Sequence, residues 1–153
     1  MLTFHGRAGT TAIVTGGAGG IGRAVVERLT AAGAQVWTFD VETAQPRTRN
    51  LQVDITDDDQ VAEAVAHVVS DSGGLQIVVH CAGYLGPFGP FEQLPPEEWA
   101  RILATNLAGV LQVTRRTVPH LRAAGWGRIV TVGSLAGKHG LPNMSVYSAA
   151  SRA

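Results

Sequence analysis

Residues Thr15-Gly16-Gly17-Ala18-Gly19-Gly20-Ile21-Gly22 place five glycines in eight positions, directly after an apolar run and directly before a helical pattern. Glycine admits positive φ and lets the backbone approach a pyrophosphate closely, while the free N–H groups and positive dipole at a helix start favour the negative charge. Two registers overlap: Gly17-x-Gly19-x-x-Gly22 fits the general dinucleotide pattern, and Thr15-Gly16-x-x-x-Gly20-x-Gly22 fits a longer-looped variant. About 20 residues on, at the end of the next apolar run, Asp40 supplies a carboxylate that accepts hydrogen bonds from adenosine ribose hydroxyls and repels a 2′-phosphate. The loop and Asp40 together predict a dinucleotide site that takes NAD in preference to NADP, a preference tempered by Arg47 and Arg49 just downstream.

These residues must be positioned by regular elements, and the pattern supplies them. Short β-branched runs at 12–15, 35–40, 51–55, 75–82 and 128–133 read as strands bounded by glycine or acidic turns. Between them, 21–32, 57–70 and two helices across 96–124 show apolar spacing of three and four; Val61, Val65, Val68 and Val69 share one face. Gly33 ends one helix, Asp57-Asp58-Asp59 places acids at the start of the next, and Pro95-Pro96-Glu97-Glu98 opens another. Alternating strands and helices predict a doubly wound parallel α/β sheet, Rossmann-like, of strand order 3-2-1-4-5 with helices on both faces. The loop Gly83–Pro90 then lies beyond a strand end, where open sheets bind ligands.

The 153 residues suit a single dinucleotide-binding domain. Formal net charge is zero and 16% of residues are charged, which speaks against a nucleic-acid groove or an anionic membrane surface as partner and favours a small-molecule ligand. One cysteine, Cys81, excludes an internal disulfide; the first seven residues lack the pattern of a secretory signal, so a cytoplasmic location is expected. His5, His67, His80, His120 and His139 show no metal-ligand spacing and no metal site is expected. Cys81, Trp37, Trp99 and Trp126 read as packing residues.

The longer-looped register, followed in order by Asn106, Ser134 and Tyr147, resembles the classical short-chain dehydrogenase/reductase family over essentially the whole chain. Similar to that family are Thr15-Gly16-x-x-x-Gly20-Ile21-Gly22 for the cofactor, Asp54 after the third strand for the adenine, and His80-Cys81-Ala82-Gly83, a variant of its Asn-Asn-Ala-Gly strand end. Tyr147 lies 13 residues after Ser134, a spacing usual in the family. The resemblance implies hydride transfer between the nicotinamide of NAD and a secondary alcohol or ketone. Ser134 would hold the substrate oxygen, Tyr147 would exchange its proton, and Asn106 would anchor a water for proton relay. It also implies association into homo-oligomers through helices, one of which carries Asn106.

Two departures from the family pattern set up a second expectation. A phenol with an ordinary pKa of about 10 needs a nearby cation to act as a base at neutral pH. The family supplies a lysine four residues after the tyrosine, where this chain has Ser151. Arg152 is one position further, turned about 140° from Tyr147 on a helix, and Lys138 is a loop residue. The chain also ends six residues after Tyr147, which predicts a domain incomplete at its C-terminal end, a tyrosine left without a stable helix and residues 128–133 as an exposed apolar edge. The alternative expectation is therefore a non-catalytic dinucleotide-binding remnant, or a fragment that binds a partner through that edge.

Overall fold

The computed structural model describes residues 9–42 and 49–152. The expectations for Arg47, His5 and the first seven residues lie outside them. Five strands, β1 (Thr11–Thr15), β2 (Gln35–Asp40), β3 (Arg49–Gln52), β4 (Ile77–His80) and β5 (Arg128–Thr131), form one sheet of order β3-β2-β1-β4-β5. Every pairing is parallel. The predicted doubly wound order is the observed one.

Side-chain alternation divides the core into two layers. Ala12, Val14, Val36, Ile77 and Val79 turn toward Val26 of α1 (Gly20–Ala31). Ile13, Trp37, Phe39 and Val78 turn to the opposite face, against Val61, Ala64, Val65 and Val68 of α2 (Asp58–Ser72) and Val113 and Leu121 of α4 (Val110–Ala123). Strands buried on both faces carry apolar residues at successive positions, which is why β1 and β4 read as continuous β-branched runs. The Asp57 carboxylate caps α2 by accepting from the N–H groups of Asp59 and Gln60. Asp58 ties α2 to α4 by ion pairs with Arg115, at 2.6 Å, and Arg116.

Three of the differences from the expected boundaries bear on the site, two at strand ends with local polar reasons and one within a helix. β3 ends at Gln52 rather than running to Ile55, because the Asp54 carboxylate accepts from the N–H and hydroxyl of Thr56 and turns the chain. β4 stops at His80 because the next two N–H groups, of Cys81 and Ala82, donate to the Thr15 hydroxyl, both at 3.2 Å. The two helices expected across 96–124 are one continuous helical path: α3 (Pro96–Leu103) passes through a π-helical segment (Ala104–Gly109) into α4. The extra residue of a π turn shifts the apolar face by about 100°, so the periodicity on either side reads as separate helices.

The C-terminal part also differs. After β5 come a single turn, α5 (Leu135–Lys138), and α6 (Ser145–Arg152), which packs against α5, α3 and the π segment with Ala150 buried. The expectation that Tyr147 lacks a stable helix is therefore corrected, since tertiary packing supplies what so short a helix lacks alone. The expected exposed edge is present: Ile129, Val130 and Val132 are 41%, 50% and 41% exposed. Among the described residues no helix is long and apolar enough to cross a membrane.

Candidate functional site

The glycine loop leaves β1 through Gly16, whose φ of +67° only glycine adopts without strain. Its N–H donates to the Phe39 carbonyl, so the loop is fastened to β2 as it begins. A Cβ on Gly22 would fall 2.0 Å from the Gly16 carbonyl oxygen. The two ends of the longer-looped register thus lie in contact, and α1 starts immediately beneath the loop. At Gly20 a Cβ would meet nothing within 4 Å, and the α1 start carries no side-chain cap. Open space above an uncapped helix N-terminus with a positive dipole fits a pyrophosphate. Exposed Ile21 follows on the same turn.

Beyond the carboxyl ends of the strands lies a cavity of about 500 Å³. Five of the residues singled out in the sequence line it together: Gly16, Asp40, Asp54, Ala82 and Gly83. One Asp40 oxygen accepts from the Ala18 N–H at 2.9 Å and the other from the Glu42 N–H at 3.1 Å, leaving further lone pairs for a ligand. Thr15 does not line the cavity; fully buried, it acts from beneath by gathering the chain after β4 with its hydroxyl. Arg49 does not approach Asp40. Its guanidinium lies over Trp37 and pairs with Asp71 at 3.8 Å, at the amino ends of the strands.

Asn106 sits in the π segment, and its side-chain amide closes a two-way clamp on the backbone of Tyr84. Oδ1 accepts from the Tyr84 N–H at 2.7 Å and Nδ2 donates to the Tyr84 carbonyl at 2.8 Å. The amide expected to anchor a water is thus engaged in fixing the loop after β4. Ser134 and Tyr147 are not among the residues lining the cavity. Ser134 is half-buried and caps α5, accepting from the Ala136 N–H at 3.2 Å. Tyr147, also half-buried, lies on α6. Ser151 follows on that helix, its backbone against Gly137, and the Arg152 guanidinium donates to the Gly137 carbonyl at 3.4 Å.

The structure adds cavity residues that sequence reasoning missed. Tyr84 and Arg101 line it with Ala104 and Thr105. The Tyr84 hydroxyl donates to Glu98 at 2.8 Å; that hydrogen bond to a carboxylate, with burial, pushes its pKa above the ordinary value. Arg101 donates to the same hydroxyl at 3.3 Å, and its guanidinium carbon lies 3.9 Å from the ring centre. The available signal was helical spacing, which puts Arg101 one turn before Thr105, beside Asn106. Cys81 also lines the cavity, and burial raises its thiol pKa, in keeping with a packed residue. His80, 1% exposed, has its pKa lowered to about 4 by burial; its Nε2 lies 3.1 Å from the Thr114 hydroxyl and its Nδ1 has no hydrogen-bond partner among the described residues.

Comparison with known proteins bears on the family and the fold. The family model described as short chain dehydrogenase matches residues 10–153. The chain is 36% identical to a 2-dehydro-3-deoxy-L-rhamnonate dehydrogenase (NAD(+)) of Sphingomonas sp. (strain SKA58), over 97% of this chain and 64% of that protein. It is 37% identical to a cis-4-hydroxycyclohexanecarboxylate dehydrogenase of Sinomonas cyclohexanicum, over 91% of this chain and 60% of the relative. Among solved structures, an NAD+-bound xylitol dehydrogenase superposes with a TM-score of 0.89 at 29% identity, over 95% of this chain and 60% of that one. A short-chain type dehydrogenase/reductase from Mycobacterium ulcerans gives 0.90 at 30% identity, over 99% and 59%. The chain belongs to the short-chain dehydrogenase/reductase family. It spans about three fifths of the length of these relatives.

Proposed function

We propose that this chain carries the cofactor-binding part of an NAD-dependent oxidoreductase that transfers hydride between the nicotinamide and a secondary alcohol or ketone. The observation that carries the reading is the shared cavity of Gly16, Asp40, Asp54, Ala82 and Gly83 at the carboxyl ends of the strands, where a parallel sheet of this winding binds its ligand. Asp40 favours NAD by opposing a 2′-phosphate, and the engagement of Arg49 with Asp71 and Trp37 removes one cation that would temper this. The NAD(+) in the name of one relative and the NAD+ bound to one structural neighbour support the same preference.

When bound, the nicotinamide accepts or returns the hydride. The chain's own groups bind and orient. Gly16, Gly20, Ile21 and Gly22 receive the pyrophosphate at the start of α1, Asp40 accepts the ribose hydroxyls, and Asp54 marks the adenine end. Ser134 holds the substrate oxygen while Tyr147 exchanges its proton. Asn106 holds the loop between the two halves through Tyr84. The alcohol gives up the hydride from its carbinol carbon and the proton from its oxygen, and the ketone takes both back.

A second reading, a dinucleotide-binding protein without turnover, is favoured by one observation: the helix of Tyr147 carries Ser151 where a cation is needed, and its Arg152 is turned to the Gly137 carbonyl. NADH titration by fluorescence, followed by turnover over a panel of secondary alcohols and ketones, decides between them. Binding with turnover that Tyr147→Phe lowers about 10²- to 10⁴-fold is the expected result. Binding without turnover establishes the second reading, and absence of NADH binding overturns both.

A further inference from the structure

We propose that Arg101, seated over the Tyr84 ring, is the stacking wall for the adenine base, and so a determinant of cofactor affinity that the glycine loop and Asp40 do not supply. The proposal rests on the cofactor reading above. Three observations carry it.

The first is which half of a dinucleotide this cavity holds. Hydride transfer requires the nicotinamide near Tyr147, yet neither Tyr147 nor Ser134 lines the cavity, whereas the ends of β2 and β3 do, through Asp40, Val53 and Asp54. The half remote from the chemistry is the adenosine.

The second is that the Arg101 side chain in the cavity lining is held in place. Arg101 is fixed by its stack on the Tyr84 ring at 3.9 Å and by its bond to the Tyr84 hydroxyl. That hydroxyl is held in turn by Glu98, and the Tyr84 backbone by Asn106. An exposed arginine side chain is ordinarily mobile; this one is braced through four groups. A guanidinium plane stacks on an aromatic base as it does on an aromatic side chain, and its delocalised charge adds a cation–π component.

The third concerns what a cation is doing here. Among the described residues lining the cavity, Arg101 is the one cation beside Asp40, Glu42 and Asp54, and no carboxylate of the described residues lies within ion-pair distance of it. Its flat face is therefore not drawn off into a salt bridge. Asp40, Glu42 and Asp54 in the lining suit a neutral base and its ribose, whose amine and hydroxyls donate hydrogen bonds. The ligand class assigned to this wall is thus a neutral planar purine, with Val53 and Ile55 also in the cavity lining.

The test is titration of the full chain with AMP and with NADH, for the unaltered protein, Arg101→Met, Arg101→Lys and Tyr84→Leu. Arg101→Met and Tyr84→Leu are expected to weaken both ligands about five- to tenfold. Arg101→Lys, which keeps charge without a plane, should recover little of that loss. Wild-type affinity in Arg101→Lys would show a charge contact and overturn the stacking assignment. Wild-type affinity in all three variants would overturn it while leaving the cofactor reading intact. An unaltered chain that binds neither AMP nor NADH overturns both. Because Arg101 is exposed, Arg101→Met should melt within a degree or two of the parent, so its affinity reports the wall and not a folding defect.

Discussion

At the glycine loop the chain is held by its own backbone, whereas at Ser134 and Tyr147 it is held by two short helices that lean on each other. β1 is buried along its whole length and pairs on both sides, and the loop leaving it closes on itself through Gly16 and Gly22. β5, which leads to Ser134, is exposed along its whole length and pairs among the described residues with β4 alone. Ser134 then caps a four-residue turn, and Tyr147 rides on eight residues of α6 whose backbone rests on Gly137. The shape of the glycine loop is thus imposed by main-chain contacts that no rotamer change relaxes. The placement of Ser134 and Tyr147 depends on helix–helix contact, which is easier to shift.

The largest expected effect breaks the first region and spares the second. Gly22→Ala puts a methyl 2.0 Å from the Gly16 oxygen, so the loop must open or α1 must move. Unfolding in urea should show a loss of about 1–3 kcal/mol, and NADH affinity should fall more than about tenfold, as expected when a 1.4 kcal/mol contact is lost. Gly137→Ala is the matched change in the second region, with its methyl 2.3 Å from the Ser151 oxygen. It should displace α6 and leave NADH binding near the parent value. Equal losses of NADH affinity in the two variants would dissolve the distinction.

The sheet centre should also show itself through pH. His80 lies at the end of β4 between the two regions, and burial holds its pKa at about 4, below the ordinary 6.5. The unfolded chain therefore takes up a proton that the folded chain refuses. Stability is complete above about pH 6.5 and declines as pH falls toward 4, by about 2 kcal/mol between pH 7.5 and pH 5. Asp58, whose hydrogen bonds to Arg116 and Arg115 hold its pKa at about 2, loses its contribution only below its ordinary value of 3.8, outside that window. Denaturant midpoints across the range should slope downward in the parent and lie nearly flat in His80→Asn. An unchanged slope in the variant would assign the titration to other groups.

The sequence made the first region legible because its causes are local. Alternation sends Ile13 to one layer and Ala12 and Val14 to the other, and a glycine loop between strand and helix needs no distant partner to be recognised. What escaped was contact between segments. The Asn106 amide is committed to the Tyr84 backbone 22 residues away, and Arg101 reaches the Tyr84 hydroxyl across 17. No periodicity encodes either pair. The π segment was hidden because its inserted residue breaks the apolar phase, and α6 because its support comes from α5, α3 and the π segment rather than from its own length.

The smallest expected effect sharpens the second region. On α6, position 151 is four residues after Tyr147, about 40° away around the helix at 100° per residue, so the two share a face. Arg152 is turned away and bonded to the Gly137 carbonyl. Ser151→Lys would place an ammonium on the Tyr147 face of a helix that is already packed. An opposite charge within about 4–6 Å favours a phenolate by roughly one to three pKa units when the pair is well shielded, and the lower end applies to a half-exposed helix. The rising limb of the kcat profile should therefore move about one unit toward lower pH, with NADH affinity changed less than about threefold, under 0.7 kcal/mol. Comparing the variant with its Tyr147→Phe double mutant isolates the tyrosine, since the shift must vanish when the phenol does. A shift that persists without Tyr147 would assign the limb to another group, and no shift at all would mean that α6 does not present residue 151 to the tyrosine as the helical spacing requires.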